Sequence, residues 1–257
     1  RNASGRVRYS HYTFRQLIEA SDAIARGLGQ VGITRGMRTV LMVRPSLEFF
    51  ALTFALFRAG VVPIFVGPGM GWRNLGTCLE EAEPEAFIGV TEAHLARLVL
   101  GWGRGTVRIT VTVGPKGPWA AHTLEGLKRL GKGGEPFEIV RTSASDMAAI
   151  IFTSGSTGVP KGVVYNHGNF TAQVEMLRNS FTIAPGEIDL PTFPLFSLFD
   201  FALGMTTIVP DMNAAHPAKA DPAKIVEAIE DFGVTNMFGS PAPLNNLSRH
   251  CERRGIT

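Results

Sequence analysis

Residues 150–164 read Ile150-Ile-Phe-Thr-Ser-Gly-Ser-Thr-Gly-Val-Pro-Lys-Gly-Val-Val164. An apolar run, Met147–Phe152, leads into its small and hydroxyl residues, and a second run, Val163–Tyr165, follows them. The two runs predict strands, and the glycines between them let backbone N–H groups approach an anion closely. Lys161 adds a positive charge, and the hydroxyl groups add hydrogen-bond donors. The pattern therefore predicts a loop that binds a polyphosphate.

The P-loop pattern G-x-x-x-x-G-K-[ST] does not describe this loop. Pro160 stands where that pattern has glycine, and Gly162 stands where it has Ser or Thr. Because Pro160 disfavours helical geometry at Val159, the loop is predicted to connect two strands rather than a strand and a helix. An ordinary surface hairpin is the alternative, but it does not require so many small, hydroxyl and basic residues in this order.

The composition excludes several classes of protein. The chain has 257 residues, 45% hydrophobic and 18% charged, which suits one large domain or two small ones. Its net charge of +3 is small and dispersed, so no nucleic-acid partner is predicted. The histidines and cysteines lack metal-ligand or disulfide spacing, so no metal site is predicted.

Arg58, Gly60 and Pro63 interrupt the apolar stretch Phe49–Gly67, so no membrane span is expected. No signal peptide is recognisable, and a reducing cytoplasm is the predicted compartment.

Helical and strand patterns alternate along the chain. Thr13 and Gln16 form a capping box at the start of an amphipathic helix. A strand at Arg38–Val43, a helix at Leu47–Ala59 and a strand at Val61–Val66 follow. This β-α-β order favours parallel strands between layers of helices, so the chain is predicted to be an α/β protein.

Further helices and strands are predicted later in the chain. Thr123–Leu130 is predicted as part of a surface loop or as a helix, and Val234–Phe238 as a strand. Asn169 is predicted to cap a helix that runs to Phe181. His167, just before it, is a candidate catalytic base, but fixing the strand-to-helix turn is the favoured role.

The segment T-S-G-S-T-G-V-P-K-G at Thr153–Gly162 resembles the phosphate loop of the adenylate-forming superfamily, which includes acyl-CoA synthetases, luciferases and peptide-synthetase adenylation domains. The resemblance implies that a carboxylate attacks the α-phosphate of ATP, giving an acyl-adenylate and pyrophosphate, with Mg²⁺ reducing charge repulsion. It also implies that the β- and γ-phosphates are bound by residues of this loop, namely Thr153, Ser154, Gly155, Ser156, Thr157, Gly158 and Lys161.

Other stretches resemble one family within that superfamily, the β-lactone synthetases of long-chain olefin biosynthesis. These stretches are Gly67–Gly71, Asn74–Leu79, His94–Gly103 and Phe193–Asp200. The resemblance implies a long-chain 2-alkyl-3-hydroxy acid whose own hydroxyl displaces AMP and closes the lactone without coenzyme A. It further implies a complex with other enzymes of olefin biosynthesis. A long-chain acyl-CoA or acyl-AMP ligase fits the loop equally well, and a non-catalytic nucleotide-binding fragment is the alternative from another class.

The aromatic stretch Leu190–Leu203 could line an acyl pocket or belong to the core, and the residues alone favour the core. The resemblance assigns four of its residues to the substrate pocket, namely Phe196, Ser197, Phe199 and Leu203. Ser197 stands where many members carry an aromatic residue or His, which argues against a standard aryl-acid or plain fatty-acid pocket.

The resemblance implies a single incomplete AMP-binding domain over residues 1–257. Its expected fold is the N-terminal part of the adenylate-forming enzyme fold, with two doubly wound α/β subdomains, about 44–189 and 1–43 plus 190–257. The phosphate loop is expected beside their interface. The superfamily's aromatic-Gly-x-Thr-Glu motif is not found, since Phe232–Asn236 has Asn where the motif has Glu. The catalytic residues are therefore expected beyond Thr257, and the C-terminal lid domain is absent from the sequence. Substrate chain length, stereochemistry and oligomeric state cannot be read from it.

Overall fold

The computed structural model describes residues 7–66, 70–153, 161–214 and 216–256. The chain divides into two compact units. Residues 11–170 form one unit, and residues 1–10 with 171–257 form the other. No helix of the described ranges is long and apolar enough to cross a bilayer.

The first unit alternates helices with strands along the chain. In order, its elements are α1 (Phe14–Gln30), β1 (Arg38–Met42), α2 (Leu47–Arg58), β2 (Val62–Val66), α3 (Trp72–Ala82), β3 (Ala86–Val90), α4 (Thr91–Leu100), β4 (Ile109–Val113), β5 (His122–Thr123), α5 (Leu124–Leu130), β6 (Met147–Thr153), β7 (Lys161–Asn166) and α6 (His167–Phe181), whose last residues belong to the second unit.

The strands described in this unit form one sheet in the order β5-β4-β3-β1-β2-β6-β7. The pairs from β5 to β6 are parallel, and only the pair of β6 with β7 is antiparallel. Val40 of β1 pairs with Ile64 of β2, which pairs in turn with Ile150 of β6. These three side chains belong to one buried cluster. Strands covered on both faces read as nearly continuous apolar runs, and the predicted parallel α/β architecture is confirmed.

Helix α1 begins as the sequence predicts. The Thr13 hydroxyl accepts a hydrogen bond from the Gln16 N–H at 3.2 Å, and the Gln16 side chain accepts one from the Thr13 N–H at 2.8 Å. The same helix packs closely against α5. A Cβ atom at Gly27 would lie 2.3 Å from the carbonyl oxygen of Leu127. Only glycine therefore allows the two helices to approach this closely.

The second unit contains β8 (Ile188–Asp189), α7 (Ser197–Leu203), β9 (Thr206–Thr207), a 3-10 turn (Pro217–Lys219), α8 (Pro222–Phe232) and α9 (Pro241–Arg254). Strands β8 and β9 are parallel, with Asp189 opposite Thr207. Leu190, Ile208 and Ile225 are buried together in one hydrophobic cluster.

The boundaries of the units differ from those expected from the sequence. Residues 1–43 were expected to join 190–257, but residues 11–43 belong to the first unit. The reason is that β1 hydrogen-bonds to both β2 and β3, so it lies inside the large sheet. The second boundary falls at residue 170 rather than 189, within α6.

Two local predictions are wrong. Asn169 does not cap α6, which begins at His167. The Asn169 side chain instead accepts a hydrogen bond from the Asn166 N–H at 2.8 Å. Val234–Phe238 is not a regular strand, since it makes an isolated bridge at Asn236 with Asp189.

Of the two alternatives predicted for Thr123–Leu130, the helix is found. Thr123 ends the short strand β5, and Leu124–Leu130 form α5.

Candidate functional site

Strand β6 is the point at which the sheet changes direction. It runs parallel to β2 and antiparallel to β7, and its last residue, Thr153, pairs with Lys161, the first residue of β7. The segment Ser154–Pro160 therefore connects two paired strand ends. This confirms the prediction that the loop joins two strands and does not lead into a helix.

Most of the predicted phosphate-binding residues lie outside the described part of the chain. These are Ser154, Gly155, Ser156, Thr157 and Gly158. Thr153 and Lys161 mark the two described ends of the segment. The Lys161 side chain is exposed, and among the described residues it has no ion-pair partner. Its charge is therefore available to an anion at this end of the hairpin.

Gly162 has a packing role that the sequence analysis did not assign to it. A Cβ atom here would lie 2.9 Å from the aromatic ring of Phe152 and 3.5 Å from the Ile150 side chain. Glycine leaves room for the Phe152 ring, which is buried in the same cluster as Ile64. The strand residues next to the loop therefore pack against the hydrophobic core of the first unit.

The loop follows β6 at the carboxyl edge of the sheet. Val66, the last residue of β2, pairs with Phe152, so the chain leaves β2 and β6 at the same edge. In parallel α/β sheets, ligands bind outside the carboxyl ends of the strands. The position of the loop in the topology is consistent with a ligand site.

His167 begins α6 immediately after β7. Its backbone N–H donates to the Asp146 carbonyl at 3.0 Å, and the Gly168 N–H donates to the Ala144 carbonyl at 2.9 Å. Partial burial lowers the pKa of the imidazole, while the Asp146 charge acts in the opposite direction. These backbone contacts support the interpretation that His167 fixes the strand-to-helix turn.

The second unit contains an apolar groove with a volume of about 320 Å³. The rings of Phe196 and Phe238 stack in it, with centroids 4.0 Å apart and planes 26° apart. The lining residues are Thr192, Phe193, Phe196, Ala214, Pro217, Phe238 and Ser240.

Of the four residues assigned to the substrate pocket, Phe196 lines this groove. The Phe199 ring lies 6.3 Å from the Phe196 ring, measured between centroids, and is not part of the lining. Ser197 and Leu203 are buried within the unit. Phe238 and Ser240 were not predicted from the sequence, because they come from a segment about forty residues further along the chain.

Comparison with known proteins identifies the family. The family model described as AMP-binding enzyme matches residues 3–255. The chain belongs to the AMP-binding enzyme family.

Two curated relatives of this AMP-binding enzyme are named olefin beta-lactone synthetase. The protein of Stenotrophomonas maltophilia (strain K279a) is 54% identical over 237 residues, which cover 92% of this chain and 43% of the relative. The protein of Xanthomonas campestris pv. campestris is 52% identical over 249 residues, which cover 96% of this chain and 44% of the relative. The chain thus spans less than half the length of these relatives.

The fold is also found among solved structures. A long-chain-fatty-acid-CoA ligase from Archaeoglobus fulgidus superposes with a TM-score of 0.80 at 21% identity, covering 98% of this chain and 50% of that chain. At this identity the similarity establishes the fold alone. The expected N-terminal part of the adenylate-forming fold is confirmed.

The second unit of the AMP-binding enzyme also buries two carboxyl groups. Asp189 and Asp200 are 6% and 4% exposed. Burial raises the pKa of Asp189 to about 6, with the backbone N–H groups of Leu190 and Phe238 acting in the opposite direction. Burial raises the pKa of Asp200 to about 7, opposed by the Thr207 hydroxyl and reinforced by the Asp189 charge. No sequence pattern singled out this pair.

Within the described ranges, no three or more His, Cys, Asp or Glu side chains are arranged to hold a metal ion. The described groups suited to a polyphosphate are instead the exposed Lys161 and the end of β6.

Proposed function

We propose that this chain forms the triphosphate-binding and acyl-binding part of an enzyme that activates a carboxylic acid with ATP. The product proposed is a β-lactone, made from a long-chain 2-alkyl-3-hydroxy acid in olefin biosynthesis. The observation that carries the proposal is the β6–β7 hairpin, which bears T-S-G-S-T-G-V-P-K-G in a chain more than half identical to two olefin beta-lactone synthetases.

The hairpin would bind the β- and γ-phosphates of ATP. Lys161 supplies an exposed positive charge at the start of β7. The hydroxyl and glycine residues from Thr153 to Gly158 supply further donors, since glycine lets backbone N–H groups contact an anion directly. Mg²⁺ bound with ATP would reduce charge repulsion during attack on phosphorus.

The groove of the second unit would bind the alkyl part of the acid. Its stacked Phe196 and Phe238 rings offer apolar surface, and Thr192 and Ser240 place hydroxyl groups along its lining. Such a mixture, mostly apolar with a few polar groups, is typical of sites for small molecules.

The chemistry proceeds in two steps. The substrate carboxylate attacks the α-phosphorus of ATP, a P–O bond to the β-phosphate breaks, and pyrophosphate leaves. The 3-hydroxyl oxygen then attacks the acyl carbon, its proton passes to a base, and AMP leaves as the four-membered ring closes. The chain's own contribution is to position and neutralise charged groups, which accounts for much of the catalysis in phosphoryl and adenylyl transfer.

Product analysis tests the proposal. The protein in its native length is incubated with a 2-alkyl-3-hydroxy fatty acid, ATP and Mg²⁺, with and without coenzyme A, and the products are identified by mass spectrometry. We expect β-lactone, AMP and pyrophosphate without coenzyme A. A thioester that requires coenzyme A would instead identify an acyl-CoA ligase, and ATP binding without turnover would identify a nucleotide-binding module.

We propose a cytoplasmic location and a complex with other enzymes of olefin biosynthesis. Co-purification of those enzymes with the tagged native protein from the cytoplasmic fraction is the expected result. Its absence under gentle lysis would contradict the complex.

A further inference from the structure

A small open cavity with basic walls lies at the β5 edge of the large sheet. Its volume is about 150 Å³, and its lining includes the side chains of Lys116, His122 and Arg129. The lining contains no acidic residue. A concave surface that carries charge of one sign raises the local concentration of ions of the opposite sign. The cavity therefore favours an anion.

The three basic residues come from three different segments of the first unit. Lys116 precedes β5, His122 begins that strand, and Arg129 lies in the last turn of α5. Within the described ranges, none of the three side chains forms an ion pair or a hydrogen bond. Like charges held near one another repel, and an anion placed between them removes that repulsion. The cluster therefore has donors and charge available for a ligand.

Arg129 leaves unused an acidic neighbour on its own helix. Glu125 stands four residues earlier, a spacing at which oppositely charged side chains commonly pair in helices. The Glu125 carboxylate instead lies 2.7 Å from the Lys128 ammonium. The charge of Glu125 is thus neutralised by another residue, and the Arg129 side chain lines the cavity.

The walls of the cavity are held by contacts that do not involve the basic side chains. The Ala121 N–H donates to the Thr110 hydroxyl at 2.9 Å, and the Gly126 N–H donates to the Thr123 hydroxyl at 2.9 Å. Helix α5 is also held close to α1, where Gly27 meets Leu127. A site whose walls are already fixed loses less entropy when a ligand binds.

The size of the cavity narrows the class of anion. An oxygen of water occupies about 30 Å³ in the liquid, so the four oxygens of a phosphate group need about 120 Å³. This is close to the cavity volume of about 150 Å³. The guanidinium of Arg129 matches two phosphate oxygens, and the ammonium of Lys116 can bind a third.

We propose that the cavity beside β5 binds a phosphate group, either as inorganic phosphate or as the end of a small phosphate ester. Arg129 and Lys116 supply the charge, and the His122 ring supplies a further donor. Strand β5 forms one edge of the described sheet, and β7 forms the other, six strand steps away. At about 4.8 Å a step, the two edge strands are roughly 29 Å apart. The proposed site is thus separate from the β6–β7 hairpin and does not depend on the proposed function.

Phosphate titration followed by NMR tests the proposal. The ring signals of His122, identified by their loss in His122→Gln, are recorded on the native-length protein while inorganic phosphate replaces chloride at fixed pH and ionic strength. We expect a saturable shift of these signals. Lys161→Ala should show the same shift, because Lys161 lies on the hairpin.

A matched pair of arginine variants shows which side chains hold the anion. Arg129→Gln should raise the Kd for phosphate about tenfold or more, the effect of losing a charge-assisted contact. Arg15→Gln removes an exposed arginine of α1 and should leave the Kd unchanged. ATP–pyrophosphate exchange should be equal in both variants, so a failure of this site does not count against the ATP-activating function.

Glycerol 3-phosphate, titrated in the same way, separates the two sources of the phosphate group. Tighter binding than inorganic phosphate would identify an ester, and weaker binding would identify the free ion. A His122 shift that grows without saturation for both probes would overturn the proposal. Equal Kd values for Arg129→Gln and Arg15→Gln would overturn it as well.

Discussion

The carboxylate of Asp22 on α1 accepts a hydrogen bond from the guanidinium of Arg58, the last residue of α2. Its second oxygen accepts the Phe137 N–H at 3.3 Å, and the Arg58 carbonyl accepts the Val140 N–H at 2.9 Å. The two side chains are only 10% and 20% exposed. The ion pair therefore links α1 to α2. The same two residues bind the segment that follows α5 through the Phe137 and Val140 N–H groups.

Asp22→Ala should lower the free energy of unfolding by about 3 kcal/mol, because it leaves a largely buried guanidinium and a backbone N–H without their partner. Urea denaturation measures the effect. The control is Glu125→Ala, which breaks a more exposed pair with Lys128 and should cost less than about 1 kcal/mol. Equal losses in the two variants would show that burial of the Asp22 pair is unimportant.

Gly27→Ala should destabilise the first unit by about 2 kcal/mol or more, since the new methyl would overlap the Leu127 carbonyl and force α1 away from α5. Gly29→Ala, in the same helix, places its methyl in open space and should raise stability by about 0.5–1 kcal/mol through helix propensity. Thermal unfolding of both variants tests the contrast. A neutral Gly27→Ala would mean that the two helices do not need this close approach.

The stability of the second unit should decrease as the pH rises. Burial raises the pKa of folded Asp200 to about 7 from its ordinary 3.8, so the folded state binds more protons between these values and loses stability across that range. Above about pH 7 the loss levels off. Asp200→Asn should flatten this dependence and raise the free energy of unfolding at pH 8 by on the order of 3 kcal/mol. Urea denaturation from pH 5 to pH 8 is the measurement, and a steep curve retained in the variant would contradict it.

Lys161→Ala should weaken ATP binding about 10- to 100-fold, the loss of one charge-assisted contact to a phosphate. Calorimetry with ATP and Mg²⁺ measures the Kd, and ATP–pyrophosphate exchange measures the effect on the native enzyme. Lys132→Ala removes another exposed lysine of the first unit and should leave both values unchanged. If Lys161→Ala behaved like this control, Lys161 would have no role in binding the phosphates.

Phe196→Ala should weaken binding of a long-chain 3-hydroxy acid about tenfold while leaving ATP affinity unchanged, because it removes one ring of the stack with Phe238. Phe181→Ala removes a ring that is 69% exposed and serves as the control. A parallel loss of acid and ATP affinity would indicate general damage rather than a groove effect.

Local patterns were sufficient to predict many of the elements. The capping box at Thr13 depends on residues a few positions apart, and it was predicted. That the loop joins two strands was also predicted, because proline disfavours helical geometry in the residue before it. These features follow from short-range sterics and hydrogen bonds.

The parts that escaped prediction depend on contacts between distant segments. The strand order places β1 between β2 and β3, and this moved residues 11–43 into the first unit. Phe238 reaches Phe196 only through the fold of the second unit. No periodicity within a short window records such pairings.

The pairing of Thr153 with Lys161 has a thermodynamic consequence for ligand binding. A chain segment whose ends must be brought together loses configurational entropy, roughly 2 kcal/mol for seven residues by the logarithmic length term. Here the hydrogen bonds between β6 and β7 hold the two ends of the segment together once the domain folds. The entropy loss is therefore part of the free energy of folding and does not reduce the free energy of nucleotide binding. A longer segment would be less constrained in the free protein. Part of the entropy lost on ordering it would then lower the affinity for the nucleotide.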